Sequence, residues 1–145
     1  MSAAWSHILE KVGSLQELAG GSFDDQSFAE WLEDRLAESG FQKREAIRRS
    51  ALNQTFAYQI FAGTRSATRD KLIQLAFGLG LGADDSCELL ERGGAAALSP
   101  RSARDTVIAF CLERKIGLSA CDDALWDRGL ETILPYAATR SSRRI

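Results

Sequence analysis

Apolar residues in this chain recur at three- and four-residue steps, and glycines punctuate the runs. Strict alternation of β-branched residues is nearly missing. The period is that of the α-helix, so the pattern argues against a large sheet and predicts an all-helical fold of about seven or eight helices. Trp5, Ile8, Leu9, Val12, Leu15 and Leu18 mark an amphipathic helix over residues 3–19, stopped by Gly20 and Gly21. Phe28, Trp31, Leu32 and Leu36 mark a second at about 25–39, capped by Ser22 or Asp24 and stopped by Gly40. Shorter helices are expected at 43–50 and 54–62, the latter with Asn53 as N-cap and Gly63 as stop. Thr68 precedes a helix at 69–79, and Asp84 starts one that runs to Arg92 before Gly93 and Gly94. Ser102 or Pro100 opens a helix at about 103–115, and the last spans about 120–130 with Leu125, Trp126 and Leu130. Beyond Pro135, residues 136–145 are polar and basic and read as a disordered tail.

At 145 residues and 45% hydrophobic, the chain is long enough for one domain with a sizeable core. Its order divides into an N-terminal amphipathic helix (1–22), a central domain (23–94), a C-terminal helical hairpin (95–135) and the tail. No apolar run approaches the ~18 residues of a membrane span, and no basic-then-apolar leader opens the chain. Three cysteines at 87, 111 and 121 give neither a CxxC nor a zinc spacing. They read as reduced, mostly buried thiols of a cytoplasmic protein. His7 is the only histidine, far in sequence from any candidate nucleophile. No catalytic constellation, metal site or cofactor site emerges, so an enzyme is not expected.

Two stretches are alike. Residues 69–93 and 104–129 both begin Arg-Asp, place Ile73 and Ile108 at the same offset and pass a glycine-containing loop. They close as Leu89-Leu90-Glu91-Arg92-Gly93 and Leu125-Trp126-Asp127-Arg128-Gly129, with one residue inserted between the halves. Two helix–loop–helix units about 35 residues apart suggest an internal duplication, short of the three or more repeats of a solenoid.

The net charge of -2 conceals an uneven distribution. Residues 1–39 carry a balance of -6, residues 40–71 one of +5 and residues 72–145 one of -1. A basic island in an acidic chain is the footprint of a phosphate-binding surface. Within it, two short helices joined by three or four residues fit a helix-turn-helix, whose second helix enters the major groove. At about 100° per residue, Gln54, Tyr58, Thr55 and Gln59 share one arc of helix 54–62. Phe56, Ala57, Ile60 and Phe61 share the other. An uncharged, hydrogen-bonding outward arc suits base edges, since Gln pairs with adenine and Thr bonds an edge or meets a thymine methyl. Basic residues on either side suit phosphates.

The segment resembles the Xre-type, phage-repressor-like helix-turn-helix family over about residues 28–90. The likeness rests on Gly40-Phe41, the gapless spacing to Leu52-Asn53, Ile60 and Gly63 in and after the reading helix, Arg65, and Leu72, Leu75 and Ala76 beyond it. The run Gly78-Leu79-Gly80 and its continuation to Gly82 match the family's fourth-helix ending. The resemblance implies a five-helix DNA-binding domain acting as a sequence-specific regulator on double-stranded DNA. In this family the first two residues of the reading helix and the one five beyond the first touch bases, here Gln54, Thr55 and Gln59. Tyr58 joins them on the outward arc. The residue opening the second helix touches phosphate, here Gln42 or Lys43, with Arg44, Arg65 and Arg69 as further phosphate candidates. Two positions depart from the family. Ala51 stands at the usual turn glycine, where a left-handed backbone would cost about 1–2 kcal/mol. Ala46 and Ile47 exchange the expected sizes.

One such unit reads only a few base pairs, so a homodimer on two half-sites is expected, with Val107, Ile108, Cys111 and Leu112 as a candidate dimer face. The same face also reads as simple core. The competing reading is a protein-interaction module or adaptor, with Phe56 and Tyr58 as aromatic anchors. Where the acidic N-terminal charge sits relative to Gln54 and Gln59 discriminates between the two.

Overall fold

The computed structural model describes Gly13 and residues 26–135. Within these residues the chain is all-helical, with seven helices and no strand. They are α1 (Phe28–Ser39), α2 (Lys43–Ser50), α3 (Gln54–Ala62), α4 (Arg69–Leu79), α5 (Ala83–Arg92), α6 (Ala103–Glu113) and α7 (Leu118–Asp127). The expected helix at 3–19 and the tail at 136–145 lie outside the described residues. α1 starts three residues later than expected. Its N-cap is Ser27, whose side chain accepts from the Glu30 N–H while its hydroxyl meets the Glu30 carboxylate. The first of these bonds satisfies one orphan backbone N–H of the first turn. Similarly α7 begins at Leu118, because Gly117 takes the extended N-cap conformation.

One buried cluster runs from Trp31 to Ile133. At its centre α4 is buried along its length from Leu72 to Leu79 and packs closely on α2. Gly78 permits this approach. A Cβ there would lie 2.3 Å from the Ala46 carbonyl oxygen and 2.8 Å from Ser50 Cβ. The size exchange at positions 46 and 47 thereby finds its reason: fully buried Ala46 admits α4, while Ile47 fills the space toward α3. Buried Gln74 donates to the Ser50 carbonyl at 3.0 Å, tying the two helices by a polar link.

The two units repeat the same helix-end turns at a constant spacing of 35 residues, correcting the expected one-residue insertion. α4 closes with Gly80 N–H to Phe77 O and Leu81 N–H to Ala76 O; α6 closes with Lys115 N–H to Leu112 O and Ile116 N–H to Cys111 O. α5 and α7 end alike, through Gly94 and Gly129 in left-handed conformation. Gly129 therefore matches Gly94, not Gly93. Lys115 matches Gly80 and holds the same left-handed turn at φ 57° without being glycine.

The repeated Arg-Asp pairs interlock the two units. Arg69 donates from Nε to Ala96 O and from Nη2 to Ala97 O, and Arg104 donates from Nε to Glu131 O and from Nη2 to Thr132 O. Each guanidinium then crosses to the other unit's aspartate. Arg69 forks onto Asp105 at 2.8 and 3.1 Å, and Arg104 reaches Asp70 at 3.1 Å. Burial pushes the Asp105 carboxyl up. The hydrogen bonds from Arg69 and the Ser99 N–H, with the charges of Arg69 and Arg104, outweigh it and leave the group below its ordinary value. All four candidate dimer-face residues belong to α6. Ile108, Cys111 and Leu112 are buried in the core and only Val107 is half-buried, so this face is mostly interior.

Candidate functional site

The site is built on α2, the connection at 51–53 and α3. Ala51 ends α2 in the left-handed conformation, φ 58° and ψ 20°, as expected for a turn position usually held by glycine. Its exposure leaves room for the chain to reverse. Asn53 then caps α3, its side-chain oxygen accepting from the Phe56 N–H at 3.0 Å. Gly63 closes α3 in left-handed conformation. Between these caps the expected faces separate. Ala57, Ile60 and Phe61 are buried, and Gln54, Thr55 and Tyr58 are exposed, Tyr58 at 39%.

Gln59 is only half-buried rather than open, because its Oε1 lies 3.4 Å from Arg65 Nη1. Phe56 is likewise half-buried. Arg65 and Lys71 both stand over its ring, at 5.4 and 5.3 Å from the centroid. These two cations thus gather beside the first turn of α3 through cation–π attraction.

On the other side, α2 and α3 enclose a concavity of about 320 Å³ lined by Arg44, Arg48, Leu52 and Gln54 among others. Arg44 and Arg48 share one face of α2 at the i, i+4 spacing. Arg48 forks onto Glu45, and this hydrogen bond holds the Glu45 carboxyl below its ordinary value. Lys43 pairs with Glu33 at 2.5 Å and lies over the Phe61 ring. Gln42, at the N-cap of α2, is exposed.

The structure brings Gln54, Thr55, Tyr58, Gln59, Arg44 and Arg65 to one region and removes Arg69 from it. Four of the Arg69 donor bonds go to Asp105, Ala96 and Ala97, so the expected phosphate ligand is instead an internal tie. A sequence reading ranks arginines by proximity along the chain and has no access to the partner 36 residues away. Two cations were missed in its place. Lys71 already counted in the basic island, and Arg48 was signalled by its spacing from Arg44.

The described part of the acidic N-terminal region is internally engaged. Glu33 meets Lys43, Glu38 meets Arg35, and Asp34 accepts from Gln26. Among the described residues no group of three or more His, Cys, Asp or Glu side chains could hold a metal, and no helix is long and apolar enough to cross a membrane. His7 lies outside the described residues. Comparison with protein-family models, with curated proteins and with solved structures gives no match.

Proposed function

We propose that α1–α5 form a phage-repressor-like helix-turn-helix domain that reads double-stranded DNA, with α3 lying in the major groove. One observation carries the reading. The outward face of α3 is uncharged and rich in hydrogen-bonding groups, yet cations flank it on both sides, Arg44 and Arg48 from α2 and Arg65 and Lys71 beyond it. Base edges are read by neutral bidentate donors and acceptors, and phosphates by cations, so this arrangement divides the two tasks. Gln54, Thr55, Tyr58 and Gln59 are the base readers; Gln42, Lys43, Arg44, Arg48, Arg65 and Lys71 are the phosphate ligands. The left-handed Ala51 turn supports the family resemblance, because it reverses the chain where that family places its turn. The protein acts as a cytoplasmic transcriptional regulator and binds as a homodimer on half-sites about 34–36 Å apart.

The protein-docking alternative loses one of its two anchors, since Phe56 is already covered by Arg65 and Lys71. Tyr58 alone stays open. Selection of duplexes from a random pool, followed by titration on selected and scrambled sequences, decides between the readings. Gln54→Ala is expected to cost roughly 1–3 kcal/mol on the selected site and to relax one base position. Equal affinity for all duplexes at moderate salt, with Gln54→Ala silent, would transfer the proposal to protein docking.

A further inference from the structure

The two glutamines of α3 are not equivalent. Gln54 is exposed in the first turn, and its amide makes no side-chain hydrogen bond among the described residues. Gln59 is half-buried, and its Oε1 accepts from Arg65 Nη1 at 3.4 Å. Further contacts hold Arg65 in that place. After α3 the chain folds back, so that the Thr64 N–H and hydroxyl both donate to the Gln59 carbonyl, at 3.0 and 3.3 Å. The Arg65 guanidinium then lies 5.4 Å from the centroid of the Phe56 ring. Phe56 and Gln59 stand at the i, i+3 spacing and are neighbours on the helix surface. One guanidinium can therefore lie over the ring and reach the amide.

The chemistry of the pair fixes which way the Gln59 amide faces. A guanidinium has N–H donors and no acceptor, so only the carbonyl end of the amide can meet it. Turned over, the amide would set its NH2 against a cation. The Lys71 ammonium, 5.3 Å from the same Phe56 ring, adds a second positive charge nearby and disfavours that arrangement further. Gln59 therefore gives its carbonyl to Arg65 and presents its NH2 outward. The Nε and Nη2 edge of Arg65 stays available to a phosphate, so one side chain can hold the backbone and the glutamine together.

We propose that Arg65 makes Gln59 a donor-only reader that selects guanine, whereas Gln54 keeps both groups of its amide. The inference rests on the DNA reading of α3. A glutamine pairs with adenine by accepting from the N6 amine and donating to N7, and so needs both ends of the amide. With its carbonyl taken, Gln59 loses one of these bonds and sets its own NH2 against the adenine amine. Guanine presents two adjacent acceptors in the major groove, N7 and O6, and an NH2 alone serves them. Cytosine presents an amine, and thymine one acceptor beside a methyl, so both offer less. Arg65 is here a positioning residue, which acts on the base through Gln59.

Selection of duplexes from a random pool by the full chain, repeated with Gln54→Ala, Gln59→Ala and Arg65→Ala, tests it. Each glutamine variant identifies the base position its glutamine reads, as the one whose preference is lost. The wild-type base at the Gln59 position is expected to be guanine. Arg65→Ala should weaken binding to all duplexes through the lost phosphate contact. It should also lower the ratio of guanine to adenine affinity at the Gln59 position by about tenfold and leave the Gln54 position unchanged. A cation that only binds phosphate would lower every affinity and move no ratio, and that result overturns the proposal. A base other than guanine at the Gln59 position in the wild type overturns it, as does a Gln59→Ala variant that relaxes no position. Failure of the DNA reading itself looks different: the wild type then shows no preference at any position, and the inference falls with it.

Discussion

Replacing Asp105 with Ala is expected to cost far more than replacing Asp70, although the two occupy equivalent positions in the duplicated units. The Asp105 side chain is 8% exposed and its arginine partner 28%; the Asp70 side chain is 37% exposed. Asp105→Ala removes both Arg69 bonds and the acceptor for the Ser99 N–H, and leaves a half-buried guanidinium with only two carbonyls. Breaking a buried ion pair from one side costs about 3–5 kcal/mol, and the residual exposure of Arg69 brings this to about 3 kcal/mol. Asp70→Ala removes one bond from a more exposed carboxylate and leaves Arg104, 16% exposed, on the Glu131 and Thr132 carbonyls, and should cost about 1 kcal/mol. In urea denaturation of the full chain a gap of about 2 kcal/mol separates the midpoints by about 1 M. The wild-type advantage over Asp105→Asn is also expected to depend on pH. Because the folded carboxyl titrates below its ordinary value of 3.8, its contribution is complete above that value and is lost as pH falls through the lower, folded value. Equal midpoints for the two alanine variants, or an advantage that grows in acid, would refute the account of Asp105 as the buried tie between the units.

Ala51→Gly should raise stability by about 0.5–1 kcal/mol, because relief of left-handed strain exceeds the extra entropy of an unfolded glycine; a lowered thermal midpoint would contradict this. Lys115→Gly should gain less, since it also removes the Nζ bond to Gly80 O, 2.6 Å long. Gly78→Ala should destabilise by about 2 kcal/mol or more, as its methyl meets a backbone oxygen that cannot move without parting α2 from α4. If the DNA reading holds, Arg44→Ala or Lys71→Ala should flatten the slope of log affinity against log salt by up to about one each, with unchanged urea midpoints. Arg69→Ala should instead lower the urea midpoint, the opposite division to that expected of a phosphate ligand.

Local signals were sufficient for much of this protein. Helical period, Asn53 and Ser102 as caps, Gly40 and Gly63 as stops, and the left-handed turn at Ala51 are properties of a few consecutive residues. They read directly because each is settled by backbone sterics and orphan hydrogen-bonding groups within one turn. The separation of Gln54, Thr55 and Tyr58 from Ala57, Ile60 and Phe61 was legible for the same reason, since a helix's period fixes which side chains share a face. What a long side chain does was not legible. Arg69 and Arg65 stand four residues apart in the same basic island, yet one turns inward to Asp105 and the other stays beside Phe56. The choice depends on which carboxylate, carbonyl or ring lies within reach after α4 and α6 have packed. The true spacing of the duplication likewise needed the backbone, because the matching feature is a left-handed turn that Gly80 adopts freely and Lys115 adopts under strain. The sequence determines each helix and its faces; only tertiary packing decides which faces and which charges are left for a partner, because those depend on contacts between residues far apart in the chain.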